Sequence, residues 1–285
     1  MKIAISGSNG YIAKNLIQEL ELSDYEIVRI GRSQIYNIAE LTEILSNVSV
    51  VIHLAGSPIL KRWTSTIKDE ILRSRIATTR NIILTMNDLP IERRPEIFIS
   101  ASAIGIYSPD KIHTEESTSF STDFVSEVVV KWEGSSADLN PNVRRVIFRI
   151  GLILGKGAKT IQNLVPVTKL GLGGKIGSGK QPFPFIHIHD AVKAIKWSIE
   201  NHQAQGIYNL VAPENIDNKT FTNKLAKSLN RTAIFTVPEF ILKIVFGEAS
   251  TLLLQSPQVY PKRLLNEGFE FSYPDLNSTI EEIVQ

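Results

Sequence analysis

Over its first half the chain alternates short, continuously apolar runs with longer stretches of helical periodicity. Ile3 to Ile5 is apolar throughout, the signature of a strand covered on both faces. Gly7 to Gly10 turns it into Tyr11 to Leu20, where Ile12, Leu16, Ile17 and Leu20 recur at helical spacing. Further strands are predicted over Glu26 to Ile30, Val50 to Leu54, Glu96 to Ile99 and Arg145 to Phe148. Between them the pattern predicts helices over Glu40 to Ser46, about Ile67 to Met86, and about Asp123 to Leu139, the last stopping before Asn140-Pro141. Such alternation belongs to a parallel, doubly wound α/β sheet. After Gly155 the texture changes. Gly171 to Gly179 is glycine-rich, Phe183 to His187 reads as extended, Asp190 to Asn201 as a helix and Tyr208 to Leu210 as a short strand. From Pro213 onward helices and turns dominate, punctuated by Pro238, Pro257, Pro261 and Pro274. We expect a main domain over residues 1–165, to which the helix near 190–201 returns, and a smaller C-terminal α/β lobe over 166–285.

The turn after the first strand carries chemistry. It reads Ser6-Gly7-Ser8-Asn9-Gly10-Tyr11-Ile12-Ala13. Gly7 permits the tight turn, Gly10 lets a backbone approach a pyrophosphate, and the small Ala13 lets helix and strand pack. The helix N-terminus offers N–H groups and partial positive charge. At the head of a βαβ unit this makes Gly7, Ser8, Asn9, Gly10, Tyr11 and Ile12 candidate dinucleotide-binding residues and the sheet Rossmann-type. Taken alone, the pattern also describes a plain strand–turn–helix. The end of the second strand selects the dinucleotide: NAD sites place Asp or Glu there for the ribose hydroxyls, whereas this chain has Gly31-Arg32-Ser33. A guanidinium fork suits a 2′-phosphate, so Arg32 and Ser33 point to NADP(H), the alternative being a solvated surface arginine.

Composition narrows the classes. With 31 basic against 29 acidic residues the net charge is +2, which leaves no electrostatic footprint for nucleic acid or an anionic membrane. There is no cysteine, which removes disulfides, thiolate nucleophiles and cysteine-ligated metals and fits a reducing compartment. The first residues meet a glycine turn at once, without the apolar region of a secretory leader. The apolar stretch Phe240 to Leu254 is broken by Lys243 and Glu248, so no membrane span is expected. The expectation is a cytoplasmic protein with a small-molecule substrate.

Further motifs follow the glycine turn: VIHLAGSPI (Val51 to Ile59), KRW (Lys61 to Trp63), SASAIGIY (Ser100 to Tyr107), KWE (Lys131 to Glu133), GLGGKIGSGKQ (Gly171 to Gln181), FIHIHD (Phe185 to Asp190) and GFEFSYPDL (Gly268 to Leu276). Together they resemble, over nearly the whole chain, the atypical extended-type short-chain dehydrogenase/reductases of the NAD-dependent epimerase/dehydratase-like family, whose members end in a small C-terminal domain of unknown function. The resemblance implies that Leu54, Ala55 and Gly56 line the adenosine side of the cofactor and that the turn after Arg149-Ile150 approaches the nicotinamide carboxamide. It matches Ser102 to the serine that hydrogen-bonds the reacting oxygen in related epimerases; a serine capping a strand end is the plainer reading.

The chain departs from that pattern at decisive places. No tyrosine occurs between Tyr107 and Tyr208, and alignment on Trp132-Glu133 puts Val125 and Val129 at the catalytic Tyr and Lys positions. Arg75 stands where an asparagine is usual. The stretch from Arg32 to Val50 leaves little room for the usual third strand and its adenine-contacting Asp, for which Asn37 is a candidate substitute. Glu127 and Asp123, on the helix after Ser102, are candidates for the missing acid/base, or members of a solvated helix face. Gly174 to Gln181 nearly spells a phosphate loop, but Gln181 lacks the hydroxyl for magnesium and Pro182 and Pro184 block the required helix. His187, His189 and Asp190 lack a further ligand at metal spacing and read as structural, and no nucleophile elbow supports a hydrolase. The leading expectation is an NADP(H)-dependent oxidoreductase or epimerase-like enzyme acting on a small carbonyl or hydroxyl substrate, with Ser102 and Glu127 as catalytic candidates and Gly171 to Asp190 as a substrate-side loop. The competing expectation is a non-catalytic NADP(H)-binding regulator or partner-binding protein.

Overall fold

In the first strand, β1 (Lys2–Ser6), Ile3 and Ile5 point to one side and Ala4 to the other, and all three are fully buried. A strand buried on both faces needs cover on both, and the structure, a computed structural model describing residues 1–285, supplies it. The glycine turn leads from β1 into α1 (Tyr11–Glu21) and β2 (Glu26–Ile30). Two short helices, α2 (Arg32–Tyr36) and α3 (Ile38–Leu45), carry the chain to β3 (Val50–His53). Then come α4 (Ser65–Asp88), β4 (Ile97–Ala103), α5 (Phe124–Gly134) and β5 (Arg144–Ile150). The chain leaves the sheet for α6 (Lys159–Lys169) and returns through α7 (Ile188–Glu200) to β6 (Gly206–Leu210). The six strands are all parallel, in the order β6-β5-β4-β3-β1-β2.

Period-two alternation sorts the core. Ile3, Ile5, Val50, Ile52, Ile97 and Ile99 pack with Leu16 and Leu20 of α1 and Ala191 and Ile195 of α7. Ala4, Val51 and Phe98 face the other way, against Leu41 and Leu45 of α3 and Ile82 and Met86 of α4. Each strand predicted from the apolar runs is present. The usual third strand is indeed missing, its place taken by α2 and α3. One helix differs: α5 ends at Gly134, not near Leu139, because Ser135 and Ser136 close its last turn with hydroxyls bonded to the Trp132 and Glu133 carbonyls. The helix α6 was not legible, since Pro166 sits inside it.

Within residues 166–285, α7 packs on the sheet and β6 is its edge strand. The rest of the lobe comprises α8 (Asn218–Ser228), α9 (Glu239–Phe246), α10 (Thr251–Leu254), α11 (Lys262–Asn266) and α12 (Leu276–Val284). It adds small parallel strand pairs, Gly174–Ile176 with Phe235–Val237 and Leu152–Leu154 with Phe185–His187. Arg263 of α11 ties the tail to β6, donating to the carbonyls of Gln205 and Ile207, both at 2.9 Å. No helix is long and apolar enough to cross a membrane.

Candidate functional site

From β1 the chain connects to β2 on one side, and the next strand, β3, lies on its other side. A crevice therefore opens at the carboxyl ends of β1 and β3, where open α/β sheets bind ligands. The turn Gly7 to Gly10, Arg32, and Leu54 to Gly56 line one cavity there, of about 390 Å³. Gly7 has φ +73°, and a Cβ on it would lie 2.7 Å from the Leu54 carbonyl carbon, so both backbone sign and space demand glycine. Helix α1 begins at Gly10 with no side-chain cap and no acidic residue in its first turn, so its N-terminus stays available to an anion. Arg32 is exposed at the start of α2 and makes no hydrogen bond or ion pair. These features fit a dinucleotide with a 2′-phosphate. Tyr11, Ile12 and Ser33 do not line the cavity; the Tyr11 hydroxyl instead donates to the Lys156 carbonyl at 2.7 Å, and burial pushes its pKa up to about 12.

The segment after β3 links this cavity to a second. Ser57 and Pro58 belong to the first; Ile59 and Leu60 line the second, of about 380 Å³. Its walls come from the ends of β4 and β5 (Ala103, Ile150), from residues 181–184, and from the segment after α9 (Leu252, Leu253). Val125, aligned with the catalytic tyrosine, is part of this wall. No Asp, Glu, His, Lys or Arg lines it. The glycine-rich stretch before residue 181 forms a short strand and a tight turn, with Gly177 and Gly179 at positive φ, and no phosphate-loop helix follows.

The two catalytic candidates are not brought together. Alternation along β4 turns Ser102 to the α5 side, where it is 4% exposed and donates to Glu133 Oε1 at 2.5 Å. Glu133 also takes Arg149 Nε at 2.8 Å and Nη2 at 2.7 Å, and Arg149 Nη1 donates to the Tyr107 hydroxyl at 2.8 Å. Ser102 thus belongs to a buried ionic network and is not among the residues lining the second cavity. Glu127 lies on the exposed side of α5, away from the second cavity and paired with Lys131 one turn on at 2.5 Å. Asp123 caps the same helix, accepting from the Ser126 N–H at 2.9 Å.

Other sequence candidates have structural duties. Asn37 caps α3 through Glu40 and lies outside the cavity lining, so it does not replace the adenine-contacting Asp. Trp63 donates to the Ile59 carbonyl at 2.9 Å and packs edge-on against Phe124, pinning the loop over the second cavity. Arg75 donates to the carbonyls of Ile71 and Ser57 and lies over Trp132, and burial lowers its pKa to about 10. His187 accepts from the His189 N–H and meets Glu282 at 3.0 Å, and Asp190 accepts the Ser272 and Tyr273 N–H groups, fastening the C-terminal tail to α7. Ser74 and Thr78 of α4 line the dinucleotide cavity; the motif SR..TT (Ser74 to Thr79) belongs to the family resemblance, but the sequence assigned them no role. Small hydroxyl residues one turn apart on a helix facing a strand end were the available signal. The wall at residues 252–257 likewise had no role assigned from the sequence, although the motif GE..TLLL (Gly247 to Leu254) belongs to the family resemblance.

The comparisons extend this picture. The model of the NAD dependent epimerase/dehydratase family matches residues 3–210, and that of a domain of unknown function, DUF1731, matches residues 237–283. The mouse (Mus musculus) epimerase family protein SDR39U1 is 33% identical over 294 residues, covering 100% of both chains. A crystal structure of human epimerase family protein SDR39U1 with NADPH superposes with a TM-score of 0.93 at 30% identity, covering 100% of this chain and 99% of that one. MoeE5 in complex with UDP-glucose and NAD, 16% identical with a TM-score of 0.78 and coverage of 100% and 97%, shares the fold. The chain belongs to the NAD dependent epimerase/dehydratase family, and carries the DUF1731 domain at its C-terminal end.

Proposed function

We propose that this protein is an NADP(H)-dependent oxidoreductase or epimerase-like enzyme acting on a small carbonyl or hydroxyl substrate held in the second cavity. The observation that carries the reading is that one segment, Ser57 to Leu60, lines both cavities, the dinucleotide cradle on one side and a largely apolar, partly open cavity on the other. The related human protein crystallised with NADPH supports the cofactor. The glycine turn and the open end of α1 hold the pyrophosphate, Arg32 pairs with the 2′-phosphate, and Leu54 to Gly56 take the adenosine side. NADP(H), when bound, supplies or accepts a hydride at the substrate carbon. The chain's own part in the reaction is to position the substrate and exclude water; Ser102 fixes the ends of β4 and α5 through Glu133.

With no ionisable side chain lining the second cavity, proton transfer depends on solvent and turnover is slow. General acid/base assistance contributes typically about 10²–10⁴-fold, and positioning alone still leaves useful rate. That same absence favours the rival reading, a non-catalytic NADP(H)-binding regulator. Calorimetric titration with NADPH and NADH, followed by NADPH oxidation against aldehydes, ketones and quinones, separates them. Tight NADPH binding with some turnover supports the enzyme, tight binding with none supports the regulator, and equal affinity for the two cofactors overturns the NADP assignment.

A further inference from the structure

Asn218 is the first residue of α8, whose cap is Asp217, accepting from the Thr220 N–H at 2.7 Å. It is 6% exposed and lines the second cavity. Its Oδ1 accepts the Ile176 N–H at 2.8 Å. That bond fixes the amide's orientation, because only the oxygen can accept. The Nδ2 group is then committed to the other side, where it meets no acceptor in the protein and yet keeps accessible surface. Nδ2 is therefore a donor still free at the cavity surface, which a ligand oxygen can take over from solvent.

Two further polar side chains line the cavity, Gln255 and Ser256, both less buried than Asn218. Gln181 Nε2 is spent on the carbonyls of Ile176 and Leu253, both at 3.2 Å. Cations near the cavity are engaged elsewhere: Arg62 with the Ile244 carbonyl, Lys61 with Glu70, and Lys175 with the Ser178 carbonyl. A diphosphate in this chamber would have no counter-charge, and burying it unpaired is prohibitive. The volume, about 380 Å³, is that of a small-molecule site.

We propose that the second cavity takes an uncharged, largely apolar molecule with one accepting oxygen (a ketone, aldehyde or quinone), and that Asn218 Nδ2 donates to that oxygen. The proposal rests on the second cavity being the substrate site. It sets this chain apart from fold relatives such as MoeE5, solved with UDP-glucose.

The test is calorimetric titration of the full chain, with and without saturating NADP⁺, using 2-acetylnaphthalene, its hydrocarbon counterpart 2-isopropenylnaphthalene, and UDP-glucose. We expect the ketone to bind, the hydrocarbon to bind about three- to tenfold more weakly, the scale of one net hydrogen bond, and UDP-glucose not to bind. Asn218→Asp keeps an acceptor for the Ile176 N–H but removes the donor, and should erase the preference for the ketone. Leu60→Arg, at the exposed rim, should weaken both naphthalenes without disturbing the fold. UDP-glucose binding in place of the naphthalenes overturns the proposal, as does a ketone preference that survives in Asn218→Asp. Failure of NADP⁺ to bind would instead overturn the cofactor reading, and the cofactor-free titrations would still decide this one.

Discussion

Replacing Ser102 by Ala separates a structural role from a catalytic one. The hydroxyl is 4% exposed and donates at 2.5 Å to a carboxylate that is itself bound to Arg149, 3% exposed, through two further contacts. Hydrogen bonds to charged groups contribute about 1.5–3 kcal/mol. Here Glu133 Oε1 keeps Arg149 Nε after the hydroxyl is gone, so the lower half of that range applies, about 1.5–2 kcal/mol. For a chain of 285 residues this lowers Tm by roughly 2.5–3.5 °C. Glu133→Gln removes the counter-charge from a buried guanidinium and should cost more, about 3–5 kcal/mol. Urea unfolding followed by tryptophan fluorescence gives both values, and calorimetry gives the NADPH affinity, which should not change for Ser102→Ala. A Ser102→Ala protein with unaltered stability and abolished turnover would refute this reasoning and return Ser102 to the reaction.

Arg32→Asp should weaken NADPH by about 1.5–3 kcal/mol, the scale of a charge-assisted hydrogen bond, and leave NADH unchanged or stronger; titration with both nucleotides reads the difference. Gly7→Ala should abolish NADPH binding in a protein that still shows α/β circular dichroism, since the new Cβ meets the Leu54 carbonyl and φ +73° adds about 1–2 kcal/mol of strain. His53 is fully buried, and burial holds its pKa down at about 4. Its neutral form accepts from Ser6 Oγ at Nδ1 (2.6 Å) and donates from Nε2 to Thr78 Oγ1 (3.2 Å), whose own proton goes to the Ser74 carbonyl. The unfolded chain binds that proton first, so His53 contributes stability above pH 6.5 that is lost as pH falls toward 4, up to about 3 kcal/mol. Denaturation curves at pH 7, 5.5 and 4.5 should show the decline, and His53→Gln should flatten it. Glu127→Gln should change stability by no more than about 0.5 kcal/mol and leave turnover untouched, because its partner Lys131 is equally exposed.

What the sequence disclosed and what it withheld divide along the range of the interactions. Val50 to His53 and Ile97 to Ile99 are buried on both faces, so each residue reports its own environment and the apolar run is visible without a partner. Gly7 is legible for the same reason: the turn that needs it is local. Asn218 is not. Its meaning depends on the Ile176 N–H, far away in the chain, donating to its oxygen and on an apolar wall assembled from many separate segments. The bond from Ser102 to Glu133 was not legible because a motif gives position along a strand, whereas the partner depends on which face the strand presents. Glu127 looked available on α5 because the exposed and buried sides of a short amphipathic helix are set by the sheet it packs on.

The detour between β5 and β6 has a consequence for the order of synthesis. By residue 150 five strands of the sheet have been made, but the outer edge of β5 acquires its partner only when Gly206–Leu210 emerges, some 60 residues later. At about 5–20 residues per second that is an interval of roughly 3–12 s. Throughout it an edge containing Val146, Ile147 and Phe148 is open to pairing with another nascent chain. The arginines of this strand end in buried or carbonyl-lined sites in the finished protein: Arg144 on the carbonyls of Ser198, Ile199 and Ala204, Arg145 on Ser136, Arg149 on Glu133. Ser136 and Glu133 are made before the strand, but the carbonyls that hold Arg144 come only with α7 and the turn after it, so until then Arg144 is a free charge on the open edge, the kind of residue that hinders pairing with another chain.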